Sequence, residues 1–548
     1  MFKDQYLKTK NYSQTSTLAL IDRFIESFKE RFIDNGYGPL VLIARMTVLS
    51  LLNRIVRGQL IITTRDQRYV LGDPSINRSH VSENSLIDRD DQNVSSFLSK
   101  NAFSHDEERL EAEIRVLNDS FWIRMFLSSD LGFAEAYMVR DIEVDNLNSL
   151  FKLFILNRSN LSEMSMITSS IFSTINSIIN SRFINSISNS ISNISAHYDI
   201  SNEMFRCFLS SDMTYSCAYF TDQLGGIDGD LSSSKEISKR KMIRRRRGQE
   251  EEKNQKQEVD DGRGSFKFVE DELEAAQLEK LDLIIDKAKI SKGDRVLEIG
   301  SGWGSLAIRL VQRIGCKVDS ITLSIEQRSL ALERIKDLGL QDSIEIHLLD
   351  YRDLPNSFNG AFDRLISIEM IEAVGLEFLE TYFGVVDRCL KPDGGLAVFQ
   401  VITIPESRFD RYKSEVDFIK KWIFPGGVLP SVTFLMNCIN RGSNKKLIIE
   451  NVENIGPHYA RTLREWQRRF EENFETRIKP DLIKTYYSTK PSSKKMTRAM
   501  KDEERIRDEV MIFKRKWIYY FEYCSSGFSS RVLGDHIFTI TREGNPSI

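Results

Sequence analysis

The stretch Val296-Leu297-Glu298-Ile299-Gly300-Ser301-Gly302-Trp303-Gly304 decides the fold of this 548-residue chain. Arg295 to Ile299 reads as a short buried strand, and Ser305-Leu306-Ala307-Ile308-Arg309-Leu310 starts a helix. A strand, a tight glycine turn and a helix N-terminus together let backbone approach a nucleotide-like ligand closely. The spacing is G-x-G-x-G. A dinucleotide fingerprint would need its third glycine at position 305, which is Ser305. It would also need an acidic residue at the tip of the next strand, to hold a ribose. That strand, 317–323, carries Asp319 in its middle and ends in Thr322-Leu323-Ser324. The turn is therefore read as an S-adenosylmethionine site rather than a nicotinamide site. A plain strand-to-helix turn is the bland alternative.

Downstream of the turn, strands and helices alternate: strand 317–323, helix 325–338, strand 344–350, strand 363–368, helix 376–389 and strand 395–403. Strands at 446–452 and 535–542 bring the count to seven, with helices around 463–473 and 503–523 between them. This rhythm predicts an α/β fold: a Rossmann-like, class I methyltransferase sheet, doubly wound and covered on both faces. Such sheets bind ligands at the carboxyl ends of their strands. The residues at those ends are Gly300 to Gly304, Thr322 to Ser324, Asp350-Tyr351, Glu369 to Glu372 and Gln400.

Upstream, a helix over 270–288 leads into the turn. Residues 223–264 break the pattern with Gly225-Gly226, a serine run, the basic 239–247 stretch and Glu250-Glu251-Glu252. With no apolar pattern to bury, this insertion is expected to be disordered. It reads as a solvated loop, an arm drawn to anionic lipid, or a nuclear-localisation signal. Residues 1–160 predict a smaller N-terminal α+β domain. It would hold an amphipathic helix within 1–35, a hairpin at 58–72 around Asp66-Gln67, a mobile loop at 73–105, and helices at 131–138 and 146–156. The stretch 161–195, rich in Ser, Asn and Ile, reads as a linker or long helix, and 196–548 as the catalytic domain.

Composition excludes several classes. The chain is 41% hydrophobic and 28% charged, with a net charge of −3, so it is not built for nucleic acid. Six cysteines (207, 217, 316, 389, 438, 524) and six scattered histidines form no C-x-x-C or H-x-x-x-H pattern. That argues against a disulfide framework or a metal site and for a reducing, cytoplasmic compartment. Met1 to Ser16 is polar and does not read as a secretory signal. Leu40 to Val56 is apolar but interrupted by Arg45, Asn53 and Arg54, which suits a core or interfacial helix better than a membrane span.

Nine stretches then match one family in register. They are His197-Tyr198-Asp199, Thr214 to Phe220, Val296 to Gly304, Thr322 to Gln327, Asp350 to Asp353, Phe362-Asp363-Arg364 with Glu369 to Glu372, Ile423 to Gly427, His458 to Leu463, and Cys524. The catalytic region resembles the cyclopropane-fatty-acyl-phospholipid synthases and the mycolic acid cyclopropane synthases. Phe121 to Phe154 also resembles the N-terminal domain of the phospholipid-acting branch. The resemblance implies S-adenosylmethionine contacts at Tyr215, Ser216, Glu298, Gly300, Gly302, Gly304, Thr322, Leu323, Ser324, Gln327, Asp350 and Tyr351. It implies a bound bicarbonate ion surrounded by Cys217, Glu372, Tyr459 and Cys524. The family carries a His in the strand after the glycine pair; ungapped matching puts Gln400 there.

The implied reaction is methyl transfer to a cis alkene carbon of a phospholipid acyl chain, then proton loss and ring closure. The enzyme would work peripherally at a membrane surface. Its oligomeric state is left open, a homodimer included. Read without the resemblance, Glu372 is a helix N-terminal acid, Cys217 and Cys524 are buried apolar residues, and Tyr459 belongs to core or surface. Trp422, Phe424 and Tyr219 read as core, or as walls of an acyl tunnel whose aromatic faces steady a cation. The rival readings are a lipid C-methyltransferase giving a methyl-branched or methylene product, the same chemistry on a sphingolipid, and a catalytically inactive lipid-binding scaffold.

Overall fold

The computed structural model describes residues 39–73, 110–161, 201–255, 269–489 and 496–545. The helix expected within 1–35, nearly all of the 73–105 loop and of the 161–195 stretch, and His197-Tyr198-Asp199 lie outside these residues. Contacts divide the chain into two units, 1–185 and 186–548.

In the first unit, helix α1 (Pro39–Leu52) precedes the expected hairpin, β1 (Gly58–Thr63) and β2 (Arg68–Asp73). Strand β3 (Glu111–Val116) pairs parallel to β1, and β4 (Ile142–Val144) pairs antiparallel to β3, giving the order β2-β1-β3-β4. Arg45, which interrupts the apolar run of α1, is 9% exposed and donates to Gln67 Oε1 and Tyr69 Oη at 3.0 and 2.5 Å. It fastens the helix to the hairpin turn. Helices α2 (Ser120–Met138) and α3 (Leu147–Leu156) complete the unit, and Asn146 caps α3 through Ser149 N–H. Among the described residues, no helix is long and apolar enough to cross a membrane.

The second unit opens with α4 (Asn202–Phe208), α5 (Ser234–Gln255) and α6 (Glu272–Lys287). Then follow β5 (Arg295–Ile299), α7 (Ser305–Ile314), β6 (Lys317–Thr322), α8 (Ile325–Asp337), β7 (Ile344–Leu348), β8 (Arg364–Ile368), α9 (Leu379–Cys389) and β9 (Leu396–Thr403). Helices α10 (Glu406–Ser414) and α11 (Val432–Gly442) lead to β10 (Leu447–Asn454). Helices α12 (Gly456–Asn473), α13 (Lys479–Thr489) and α14 (Met496–Ser529) precede β11 (Gly534–Arg542). The seven strands lie in the order β10-β11-β9-β8-β5-β6-β7. β5 to β9 run parallel, and β11 is antiparallel to both neighbours.

The order reverses at β5, where β6 leaves on one side and β8 on the other, so the carboxyl ends of β5 and β8 frame a crevice. The central parallel strands β5, β8 and β9 are mainly apolar because helices cover both faces, whereas the edge strand β7 alternates apolar and polar residues. Leu297, Leu365, Phe383 and Phe399 are fully buried in one shared cluster.

The insertion corrects the expectation of disorder. Residues 222–231 form short 3-10 turns and Ser234–Gln255 is helical; 256–264 lie outside the described residues. Charge holds this arm where apolar burial does not. Arg461, fully buried on α12, donates to Leu224 O and Gly226 O at 2.7 Å and to Glu272 Oε2 at 2.8 Å. Arg464 pairs with Asp230 at 2.6 Å, and Arg240 with Glu272 at 3.2 Å. A search for hydrophobic periodicity cannot detect such an anchor.

Candidate active site

The glycine turn sits at the carboxyl end of β5. Gly300 and Ser301 N–H both bond to Ile321 O, and Gly304 N–H closes the turn on Ser301 O at 2.9 Å. Gly300, Gly302 and Gly304 take φ of +99°, +48° and +86°. Their roles differ. A Cβ at Gly300 would meet Met370 at 3.1 Å, and one at Gly304 would meet Ala331 at 3.2 Å, so these two serve packing. A Cβ at Gly302 would meet nothing within 4 Å. This glycine lines open space, as a turn that cradles a ligand requires.

The neighbouring strand ends complete the cradle. Ser324 caps α8, accepting from Gln327 N–H at 3.1 Å, and Ser324 N–H bonds to Thr322 Oγ1. Leu323 is 72% exposed beside them, an apolar platform where a ribose-binding acid would stand in a dinucleotide site. Asp350 receives the backbone N–H and guanidinium of Arg352, and Tyr351 packs on Tyr382 at 5.0 Å. Two expected cofactor residues face elsewhere. Glu298 turns into the sheet and accepts from Ser320 Oγ at 2.5 Å; burial pushes its carboxyl up to about 8. Ser216 Oγ takes Lys280 Nζ at 2.5 Å, and its carbonyl takes Gln277 Nε2.

Beside this cradle, three donors from separate parts of the chain converge on one carboxylate, Glu369, at the end of β8. Cys217 N–H and Gln400 Nε2 each donate to its Oε1 at 2.8 Å, and Tyr459 O–H donates to Oε2 at 2.6 Å. Gln400 Nε2 also reaches Asp535 Oδ2 at 2.8 Å, at the start of β11. The cluster adjoins the turn, since Met370 contacts Gly300 and Ser367 Oγ bonds to Ile299 O.

Burial governs its electrostatics. Desolvation raises Glu369, while Lys280, Cys217 N–H and Tyr459 O–H favour its charged form. Burial, and then the Glu369 charge, push Asp535 well above the usual carboxylate range. Glu372 is pushed up to about 8, chiefly by burial and then by Glu369. Lys280 is lowered by burial. The Tyr459 hydroxyl and the Cys217 and Cys524 thiols are all raised by burial and stay protonated.

Of the residues expected around the reaction centre, Cys217, Gln400 and Tyr459 come together on Glu369. Glu372 does not join their hydrogen bonds: its Oε1 takes Ile402 N–H at 2.6 Å, and its buried Oε2 has no hydrogen-bond partner among the described residues. Cys524 lies on α14 near Tyr215 and Tyr520, whose hydroxyls are 3.2 Å apart, rather than in the Glu369 network. Glu369 was placed at a strand end but given no role, and Asp535, Lys280 and Gln277 were not singled out. For the last two a signal existed: they fall on the apolar stripe of α6 with Leu273, Ala276, Leu281 and Ile284. The bicarbonate expected from the resemblance does not fit, because the Cys217, Gln400 and Tyr459 donors that would hold it are engaged by Glu369. Tyr215, packed on Trp466 (5.0 Å), Phe205 (5.1 Å) and Phe424 (6.4 Å), forms an aromatic wall in the same unit.

Strand order, an open glycine turn and the strand ends beside it define the class: a class I S-adenosylmethionine-dependent methyltransferase. The mycolic acid cyclopropane synthetase family matches residues 185–246 and 264–490, more than half of the chain, and the chain belongs to that family. It is 34% identical to the tuberculostearic acid methyltransferase UfaA1 of Mycobacterium tuberculosis, over 64% of this chain and 65% of that one. It thus spans a little under two thirds of that relative's length. It is 30% identical to the cyclopropane-fatty-acyl-phospholipid synthase of Escherichia coli, over 77% of this chain and 85% of that one. A solved structure of the cyclopropane synthase MmaA2 from Mycobacterium tuberculosis is similar at 21% identity. It covers 64% of this chain and 97% of that one, with a TM-score of 0.43.

Proposed function

We propose that this chain transfers a methyl group from S-adenosylmethionine to the cis double bond of an unsaturated acyl chain in a phospholipid, with ring closure to a cyclopropane. The observation that carries the reading is the adjacency of an open nucleoside cradle at Gly302 and a buried, hydrogen-bonded carboxylate at Glu369. The methyl donor is a cosubstrate whose sulfonium supplies the electrophilic carbon. An alkene is a weak nucleophile, so the protein's contribution is position and a water-poor site. Tyr215 and its aromatic neighbours offer ring faces to the positive charge that develops on the acyl chain. The Escherichia coli relative, named for this reaction on phospholipids, supports the substrate class. Work at a membrane surface is supported by one face of α1, where Leu42, Ile43 and Met46 are each more than half exposed.

A second reading stops short of the ring and leaves a methyl-branched or methylene product. It is favoured by the 34%-identical relative, which is named a methyltransferase rather than a cyclopropane synthase. The test is lipid mass spectrometry after incubation with S-adenosylmethionine and vesicles of dioleoyl or distearoyl phospholipid. The proposal expects a one-carbon gain in the unsaturated chains alone, with ring protons at high field in the proton spectrum. A gain on saturated chains, or none on either, contradicts it. A gain whose product takes up hydrogen under mild hydrogenation favours the second reading.

A further inference from the structure

Glu369 stands where the family resemblance calls for an ion. Its two oxygens take the Cys217, Gln400 and Tyr459 donors at 2.6–2.8 Å. A carboxylate and a bicarbonate both present two coplanar oxygens and accept the same bonds. We infer that Glu369 takes the place of bicarbonate in this chain and is itself the base that accepts the proton lost from the transferred methyl group. The inference rests on the methyl-transfer reading above.

The backbone supports it independently. Glu369 has φ of +47°, left-handed for a residue with a side chain, and its N–H is pinned to Gln400 O at 2.8 Å. Such conformations cost of order 1 kcal/mol or more and cluster at functional sites. Charge points the same way. Glu369 already places a carboxylate among these donors, and Glu372 and Asp535 are both raised beside it, so a further anion would meet the Glu369 charge. Gln400, where the family has His, is a positioning residue. Its amide bridges Glu369 and Asp535, and its buried Oε1 and Asp535 Oδ1 have no hydrogen-bond partner among the described residues. A neutral amide here leaves the charge on Glu369, whereas an imidazolium could share the proton.

The step balances as follows. The alkene π pair forms the bond to the methyl carbon, and the sulfur–carbon pair stays on sulfur as a neutral thioether. One C–H bond of the new methyl then breaks. Its electron pair closes the ring onto the cationic carbon, and the proton passes to the Glu369 carboxylate, which releases it to water at product exit.

The test compares parent, Glu369→Gly and Glu369→Gln in buffer stripped of carbon dioxide and in buffer with added bicarbonate. Glycine suits the positive φ, so the first variant keeps the fold. The parent should transfer methyl at the same rate, within about twofold, in both buffers. Glu369→Gln should lose about 10²-fold or more and keep its affinity for S-adenosylmethionine by calorimetry. Glu369→Gly should regain activity only with added bicarbonate. In parallel, ¹³C-labelled bicarbonate is titrated against each protein and followed by nuclear magnetic resonance. Binding to Glu369→Gly and not to the parent supports the inference. Parent activity that collapses on stripping, full activity in Glu369→Gln, or equal bicarbonate binding by parent and Glu369→Gly overturns it. Should the parent methylate no lipid in either buffer, the functional reading falls, and the titration alone decides whether Glu369 fills the ion's place.

Discussion

Gly302 and Gly300 look equivalent in the sequence, yet only one borders open space. Gly302→Val adds a branched Cβ at φ of +48° and fills the room beside the turn. The expected outcome is loss of S-adenosylmethionine binding by calorimetry with the fold retained by circular dichroism; affinity within about twofold of the parent contradicts it. Glu298 teaches a different lesson. The acid preceding the glycines reads as a ligand contact, but it lies 3% exposed against Ser320 with its carboxyl pushed up to about 8. A folded-state value above the ordinary one means the folded protein binds the proton more tightly. This group's stabilisation is therefore complete below about pH 4.5 and lost as pH rises towards 8, at up to about 1.4 kcal/mol per unit. Glu298→Gln should hold its melting temperature better than the parent between pH 5 and 8. Parallel profiles for the two proteins would count against a buried neutral acid.

At the scale of elements, α10, α11 and α13 were not singled out, while the seven strands of the second unit and the helices between β5 and β9 were legible from apolar periodicity, from Val296-Leu297 in β5 to Phe538 in β11. The arm was not, because its partners are charges remote in sequence: Arg461 lies more than two hundred residues beyond the Leu224 and Gly226 carbonyls it holds. Deleting residues 226–263 removes Gly226 O and Asp230 from a guanidinium with no access to water. Breaking such buried pairings costs about 3–5 kcal/mol. The deletion should lower the unfolding midpoint in urea markedly, and an unchanged midpoint would restore the picture of a free loop. The Glu369 cluster was half legible for the same reason. Cys217, Gln400 and Tyr459 sit in recognisable motifs, while Asp535 reaches them only because β11 inserts between β9 and β10.

For the whole molecule, the account joins a methyl-donor cradle, an aromatic wall and an internal base at the carboxyl ends of the central strands of a seven-stranded sheet. Its central claim is that a proton leaves the transferred methyl group on the lipid, which ring closure requires and simple methyl branching does not. The direct measurement supplies S-adenosylmethionine with a fully deuterated methyl group and counts deuterium in the acyl product by mass spectrometry. The account predicts that two of the three deuteriums remain, the third having passed to Glu369. A product that keeps all three would contradict it.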